Sequence, residues 1–275
     1  MENDNKKSNI IVHVILIIGA FAMVLPFLWM IITSLKTLTE STQIPPTHIP
    51  KIFKLGNYSD VWNQLPFAAF YANTFLMILF RIIFSVFFSA MAAYAFARIE
   101  FPGKNIFFMI ILIQMMIPGQ IFIIPQYLIV SKLGLLNSVG ALAVPGVVSA
   151  FGTFLLRQFF IGIPVELEEA AILDGCNRWQ IFWKIMLPLT KSGLVAIGIF
   201  TALFAWKDLM WPLIVNTSIE KMPLASGLAS LQGQYATNFP QLMAGSMIAI
   251  WPMLILFIIF QKQFIQGIAS TGSKN

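Results

Sequence analysis

The sequence predicts an all-α membrane protein with six transmembrane helices. Of its 275 residues, 58% are hydrophobic and only 10% are charged, whereas soluble domains carry about 25% charged residues. Long apolar stretches recur along the chain, and about 20 apolar residues suffice to cross roughly 30 Å of hydrocarbon. A bilayer offers no partners to an open strand edge, so we interpret these stretches as helices. The six spans are expected at about 10–32, 71–97, 105–128, 138–156, 192–214 and 242–264.

The regions around these spans are polar. Residues 1–9 form a charged tail, and the first span is too long and lacks the cleavage site of a signal peptide, so we expect it to be retained. Residues 36–69 are polar and rich in proline, which indicates a loop with room for one interfacial helix. The transmembrane domain would then cover 10–266, followed by a C-terminal tail at 267–275.

The distribution of basic residues predicts the orientation. Six spans place both termini on one side, and with the termini inside, the positive-inside rule is satisfied by ten basic residues against five. The ten inner residues are Lys6, Lys7, Arg98, Lys104, Arg157, Arg178, Lys184, Lys191, Lys262 and Lys274, and the five outer ones are Lys36, Lys51, Lys54, Lys132 and Lys221. We therefore expect a multi-pass protein of a bacterial or archaeal cytoplasmic membrane with both termini in the cytosol.

Helix-breaking residues interrupt several spans. Pro118 and Pro125 fall in the third, Pro145 and Gly146 in the fourth, and Pro252 in the sixth. Freed backbone groups are tolerated where neighbouring helices or a water-lined cavity satisfy them, which suggests a bundle around a pathway. Ordinary kinks are the alternative, because proline is common in membrane helices.

Two opposite charges lie inside spans. Arg81 is about 10 residues into the second span, which is ~15 Å at 1.5 Å per residue, and an unpaired cation there costs about 2.5–3.5 kcal/mol. Asp208 is the one acidic residue that we place within a span. Three interpretations stay open: a structural ion pair between them, direct contact with a solute, or partners on another subunit.

Asp208 belongs to a polar and aromatic cluster in the fifth span. Aromatic rings stack on sugars, so the cluster could line a sugar path, although an interfacial aromatic belt has the same composition. The candidate pathway residues are Arg81, Trp206, Lys207, Asp208 and Trp211.

Catalytic and metal-binding patterns are missing from the sequence. His13 and His48 have no cysteine or acidic neighbours at ligand spacing, and the single cysteine, Cys176, excludes a disulfide framework. There is no Ser-His-Asp arrangement, phosphate-binding glycine loop or HExxH motif. We expect no enzyme activity and no cofactor on this chain, and the scattered basic residues argue against nucleic acid.

The most polar stretch is 166–188, ELEEAAILDGCNRWQIFWKIMLP. Pro164 suits the start of a helix whose first turns carry several glutamates, and Asp174-Gly175 predicts a sharp turn. A second short helix would carry a bulky stripe and end at Pro188. Its stripe consists of Trp179, Phe182, Trp183 and Met186. Ala170, Ala171 and Gly175 would form a face almost without side chains, which invites close approach by another surface.

This stretch resembles the EAA loop of ABC importer permeases, the element that contacts the ATPase subunit. The pattern EAA-x3-G-x9-I-x-LP is matched at every position, in a loop that we extend to residues 164–188. The matching residues are Glu169, Ala170, Ala171, Gly175, Ile185, Leu187 and Pro188.

The rest of the chain is similar to the maltose-type carbohydrate permeases, in particular the shorter member of the permease pair. The similarity is carried by Asn73-Thr74, Ala92 to Arg98 with Phe101-Pro102-Gly103, Trp206 to Leu213, and Gln261 to Ile268. It implies a type I ABC importer fold, a heterodimer with a second permease, two ATPase subunits that bind ATP and Mg, and an extracellular solute-binding protein. The C-terminal tail would approach the ATPases.

The resemblance also implies that the loop at about 215–241 contacts the binding protein. Candidate residues there are Ser226, Gly227, Gln232, Gly233, Gln234 and Tyr235. In the fifth span, Lys207 replaces the usual asparagine of the family, which would fit an anionic sugar or a lysine that reaches the outer interface.

The expected function is therefore the permease subunit of a binding-protein-dependent ABC importer for a carbohydrate, specifically an oligosaccharide. An importer of a non-sugar solute shares the same loop and is the nearest alternative. An ion-coupled secondary transporter would need more membrane carboxylates than Asp208 alone. A structural membrane subunit without a pathway is the third alternative.

Overall fold

The structure, a computed structural model, describes the backbone of residues 2–233 and 237–272 and the side chains of residues 12–233 and 237–261. Among these residues the regular structure is helical, and no strand occurs. The α-helices are α1 (Glu2–Ser34), α2 (Leu38–Thr42), α3 (Gly56–Gln64), α4 (Phe67–Arg98), α5 (Lys104–Met116), α6 (Ile123–Lys132), α7 (Val139–Ala143), α8 (Ala150–Ile161), α9 (Glu166–Leu173), α10 (Arg178–Ile181), α11 (Leu187–Leu189), α12 (Lys191–Trp206), α13 (Met210–Val215), α14 (Leu224–Ala229) and α15 (Phe239–Gly272). The predicted all-α class is confirmed.

Within the part of the chain that the structure describes, three helices are long and apolar enough to cross a membrane alone, and three bent pairs bring the total to as many as six spans. The single helices cover Val12–Ser34, Phe67–Arg98 and Phe239–Gln261. The bent pairs are Lys104–Met116 with Gly119–Lys132 (103°), Val139–Gly146 with Ala150–Ile161 (46°), and Arg178–Leu189 with Lys191–Trp206 (75°). Half of the expected spans are thus interrupted helices.

The prolines act differently from one span to the next. Pro118 lies at the 103° bend, and Pro145 lies in a short 3₁₀ turn between α7 and α8. The predicted interruption at Pro125 is wrong, because this residue sits in the first turn of α6, where no i−4 bond is needed. The interruption at Pro252 is also wrong, since α15 continues through that residue.

The chain divides into two compact units. The first contains the residues up to Pro66 together with Leu228–Leu254. In it, Asn57 of α3 donates hydrogen bonds to the carbonyls of Ser34 (2.8 Å) and Lys36 (2.9 Å). The stretch 36–69 therefore holds more structure than the predicted loop, with helices α2 and α3 fixed to the end of α1.

The second unit covers Phe67–Gly227 and the residues from Ile255 onward. Helix α4 lies at its centre and packs mainly on α8 and α12. A Cβ at Gly152 of α8 would lie 2.6 Å from Ser89 Oγ of α4, so the glycine is what allows the close approach. Two apolar cores result, one around Tyr94, Phe160 and Phe182 and one around Met77 and Trp211.

The start of α4 holds the loop that precedes α14. Asn73 Nδ2 donates to the carbonyls of Glu220 (2.8 Å) and Met222 (3.1 Å). Thr74 Oγ1 accepts the N–H of Leu224 (2.8 Å) and donates to the carbonyl of Phe70 (2.7 Å). The Asn-Thr pair therefore joins the second span to the segment after the fifth.

A substitution pair at Thr74 tests this link. Thr74→Val keeps the shape but leaves the buried N–H of Leu224 without its acceptor, which should cost about 1–3 kcal/mol of stability. Thr74→Ser keeps the hydroxyl and loses a methyl group, about 0.8 kcal/mol. Thermal unfolding of the detergent-solubilised protein should place valine below serine. Equal midpoints would show that the hydrogen bond contributes nothing.

Candidate functional sites

An ion pair lies at the break in the fourth span. Arg81 Nη2 of α4 is 2.8 Å from Asp208 Oδ2, which follows α12. The same guanidinium donates to the carbonyl of Leu142 through Nε (2.9 Å) and Nη2 (2.6 Å). Of the three interpretations of these charges, the structural ion pair is present in the structure.

The helix break explains what Arg81 does there. Pro145 has no N–H, so the carbonyl of Ala141 one turn earlier loses its helical donor. Trp211 Nε1 donates to that carbonyl (2.9 Å), while Arg81 serves its neighbour, Leu142. A Cβ at Gly146 would lie 2.5 Å from Arg81 Cγ, so glycine gives the arginine its room. Neighbouring helices thus satisfy the freed carbonyls, as a break in hydrocarbon requires.

The five candidate pathway residues do not form one surface. Arg81, Asp208 and Trp211 meet around the break, and Trp211 is only 5% exposed. Its indole is therefore neither an open sugar platform nor part of an interfacial belt. Trp206 packs edge-on against Phe75 (6.2 Å between centroids), and the exposed Lys207 places its ammonium 4.8 Å from the Phe204 ring. The fifth span is interrupted between the end of α12 at Trp206 and the start of α13 at Met210.

The polar stretch forms two helical parts around a turn. Helix α9 begins at Glu166 rather than at Pro164, and Gly175 follows it with φ of 82°, a conformation that favours glycine. The second part runs through α10, a π-helix at Phe182–Met186 and α11. This part ends at Leu189, one residue after the predicted end at Pro188, and the chain bends by 75° before α12.

The EAA pattern splits into a buried half and an exposed half. Ala171 is buried in the chain's own core, and Ile185 and Leu187 pack against that core. The prediction of an open face made of Ala170, Ala171 and Gly175 is therefore wrong for Ala171. The predicted bulky stripe also contains both buried and exposed side chains. Glu169, Ala170, Gly175, Pro188, Trp179 and Trp183 are exposed, whereas Phe182 and Met186 are buried.

Sequence reasoning missed Glu168. This carboxylate is 8% exposed, and its Oε1 is 2.9 Å from Nε of Arg98 at the end of α4. Burial raises the pKa of Glu168, and the nearby Arg98 and Arg178 oppose that shift. Glu168 is three residues before Ala171 and lies on the same helix face, but no pattern in the sequence showed that this face is buried.

The candidate binding-protein residues also divide. Ser226 is buried and donates to the carbonyl of Pro223 (3.1 Å), and a Cβ at Gly227 would lie 2.3 Å from the Phe70 ring. These two positions face the interior of the chain, so the expectation that they are accessible is wrong. Gln232 and Gly233 are exposed, and Gln234 and Tyr235 lie outside the described residues.

Residues 85–270 match the family described as binding-protein-dependent transport system inner membrane component. The chain belongs to this family. It is a transport permease subunit with a membrane location, and the comparisons below give the same class of protein.

Two curated relatives match nearly full length. The arabinooligosaccharides transport system permease protein of Halalkalibacterium halodurans is 36% identical over 98% of this chain and 99% of its own. The sn-glycerol-3-phosphate transport system permease protein of Pectobacterium atrosepticum is 31% identical over the same shares. The arabinooligosaccharides permease protein of Bacillus subtilis is 37% identical over 82% of this chain and 80% of its own.

A solved structure shares the fold. It is a bacterial ABC transporter involved in the import of the acidic polysaccharide alginate, with a TM-score of 0.79 and 26% identity over 94% of this chain and 97% of that one. The expected ABC importer permease fold is confirmed.

The ion pair yields a double-mutant prediction. Asp208→Asn leaves a charged arginine without its partner inside the permease. The free energy of unfolding should fall by about 3–5 kcal/mol, as it does when one partner of a buried ion pair is removed. Removing both charges with Arg81→Gln and Asp208→Asn should cost less than the sum of the two single changes. Thermal unfolding of all four proteins measures the coupling; additive costs would show that the two groups do not stabilise one another.

Proposed function

We propose that this permease forms, with a second permease subunit, the membrane pathway of an importer for an oligosaccharide. Two cytosolic ATPase subunits that bind ATP and Mg drive transport through the segment 164–188, and an extracellular solute-binding protein delivers the sugar. ATP-driven closure of the ATPases moves that segment and opens the pathway outward, and hydrolysis returns it to the inward-facing state.

The observation that carries this proposal is the exposed half of the EAA pattern. Around Glu169, Ala170 and Gly175 the segment also exposes apolar side chains, with Leu173 88% exposed. The other half is anchored in the permease core, so the segment is fixed on one side and bare on the other. Exposed apolar surface of this kind in a polar segment marks a protein contact.

Orientation supports an ATPase as the partner. With both termini in the cytosol, the loops on the side of segment 164–188 carry ten basic residues against five on the opposite side. The segment then faces the compartment that holds ATP. The C-terminal tail, residues 267–275, would reach the same side; its side chains lie outside the described residues.

Helix α1 supports a second permease. The span Val12–Ser34 buries none of its most apolar window within this chain. A second permease would cover one face of this helix and leave the other to lipid.

The solute is proposed from the relatives and from the charges in the permease. Two relatives are named for arabinooligosaccharides, which are neutral sugars. Another relative is named for sn-glycerol 3-phosphate and the solved structure for alginate, which are both anionic. We favour the neutral oligosaccharide because the cation at the helix break, Arg81, is already neutralised by Asp208. The exposed Lys207 keeps its charge beside the Phe204 ring and is the residue that an anionic solute would contact.

Uptake in reconstituted vesicles tests the solute. The vesicles contain the permease pair with the ATPases on the inner side, and the binding protein is added outside. They should accumulate labelled arabinotriose only when ATP is enclosed in the vesicle lumen. An unlabelled alginate trimer or glycerol 3-phosphate should compete poorly. If either anion competes strongly, the proposed solute is an anionic compound and not a neutral sugar. Uptake that survives without ATP and stops with an ionophore would instead establish an ion-coupled transporter.

Two matched glycine substitutions test the docking surface. Gly175 and Gly134 both follow a helix end with positive φ (82° and 67°), and nothing lies within 4 Å of a Cβ at either position. Gly175→Asp and Gly134→Asp therefore carry the same backbone cost. Gly175→Asp should reduce ATP-driven uptake by about tenfold or more, which corresponds to ~1.4 kcal/mol of docking free energy.

Gly134→Asp is the control, because its position takes no part in the proposed contact. Membrane levels of both variants should match the wild type, and co-purification of the ATPases should be lost in Gly175→Asp alone. Wild-type uptake in Gly175→Asp would reject the coupling role of the segment.

A further inference from the structure

Three chain segments meet at one guanidinium on the side of the membrane that carries the segment 164–188. Arg98 is the last residue of α4, and its Nη2 donates to the carbonyls of Phe160 (2.7 Å) and Ile163, at the end of α8. Its Nε lies 2.9 Å from Oε1 of Glu168 on α9. The Arg98 side chain therefore joins the end of α4 to the end of α8 and to α9. Helix α9 is the first helix of the segment 164–188, which we call the coupling segment.

The end of α8 offers carbonyl acceptors to this arginine. Pro164 follows the helix and has no N–H, so the carbonyl of Phe160 lacks its i+4 helical donor and accepts the N–H of Ile163 (3.2 Å) together with the Arg98 guanidinium. Arginine can serve two carbonyls and still face a carboxylate, because its planar group carries five N–H donors. A lysine has a single donor centre and would not hold this geometry.

A second arginine makes the return contact between the two membrane helices. Arg157 of α8 donates through Nε to the carbonyl of Phe96 on α4 (3.1 Å), and its guanidinium lies 4.2 Å from the Phe108 ring of α5. The ends of α4 and α8 are thus joined from both sides. Among the described contacts, Arg98 extends this joint to α9 and Arg157 does not.

Arg98 forms hydrogen bonds to the carbonyls at the end of α8, but its contact with α9 is an ion pair without a hydrogen bond. The Nε of Arg98 and Oε1 of Glu168 are close but not aligned as a hydrogen bond. The hydroxyl of Tyr94, one turn earlier on α4, is buried and has no hydrogen-bond partner in the described part of the chain.

We infer that the Arg98–Glu168 pair is the joint through which displacement of α9 reaches α4 and α8. Glu168 is a positioning residue, which faces the permease core, whereas its neighbour Glu169 faces outward. The inference rests on the proposed function, because it assumes that ATPase subunits move the coupling segment.

Hydrogen exchange on the assembled complex tests the joint. The purified complex of permease pair and ATPases is compared with and without ATP and vanadate. In the wild type, nucleotide should change amide exchange in α9 and also at the ends of α4 and α8. In Glu168→Gln the change in α9 should remain, and the change at α4 and α8 should fall by about fivefold or more, the lower end of typical coupling between sites.

Two variants make the result specific. Glu100→Gln removes an exposed carboxylate just after α4, outside the segment 164–188, and should behave as the wild type. Glu168→Asp keeps the charge with a shorter reach and should restore part of the response, so a general loss of α9 packing can be told from loss of the pair. If Glu168→Gln does not assemble, Glu168→Asp carries the test through a reduced response at α4 and α8 with α9 unchanged.

The outcomes separate the joint from the proposed function. An unchanged response at α4 and α8 in the Glu168 variants would overturn the joint while leaving ATPase docking intact. No response of α9 to nucleotide in the wild type would reject the docking proposal, and the joint with it.

Discussion

A backbone carbonyl that loses its helical donor inside a membrane has to find another one, and the second unit of this structure depends on how that is done. An unsatisfied group in hydrocarbon costs several kcal/mol. At the break near Pro145, Arg81 and Trp211 supply the donors for Leu142 and Ala141. At the end of α8, Arg98 donates to the carbonyl of Ile163 and adds a donor for the carbonyl of Phe160, which also accepts the N–H of Ile163. Side chains from neighbouring helices thus turn potentially costly breaks into contacts between helices.

The same constraint links the membrane helices to the coupling segment. Because Arg98 and Arg157 hold the ends of α4 and α8 together, α9 rests on a joined base rather than on a single helix end. The buried half of the EAA pattern packs on the core that surrounds Tyr94 and Phe160. The exposed half, which includes Ala170 and Gly175, is the surface at which we propose that an ATPase subunit docks.

Sequence patterns predicted the features that depend on local chemistry. Apolar length identified the spans, and Asp174-Gly175 identified the turn at which Gly175 adopts a positive φ. Arg81 and Asp208 could be matched because they are opposite charges in otherwise apolar stretches. Even so, the contact of Arg81 with the Leu142 carbonyl at the Pro145 break depends on a third helix, and no spacing in the sequence encodes it.

The missed features depend on packing. Which of Ala170 and Ala171 faces outward is decided by how α9 lies on the core, and both are equally small. Glu168 looked like one of several glutamates of a first helical turn until the structure placed it against Arg98. Pro125 and Pro252 were expected to interrupt helices, but a first-turn position accommodates one and a continuing helix the other.

Site-specific photo-crosslinking in native membranes tests the central claim most directly. A photoreactive amino acid replaces Ala170, which is exposed on the coupling segment, or Leu133, which is exposed at the end of α6. Position 170 should form an adduct with a cytosolic ATPase subunit, and position 133 should not. If position 170 formed an adduct with lipid alone, the proposed docking surface would be contradicted. If position 133 formed the adduct with the ATPase instead, the proposed orientation would be contradicted as well.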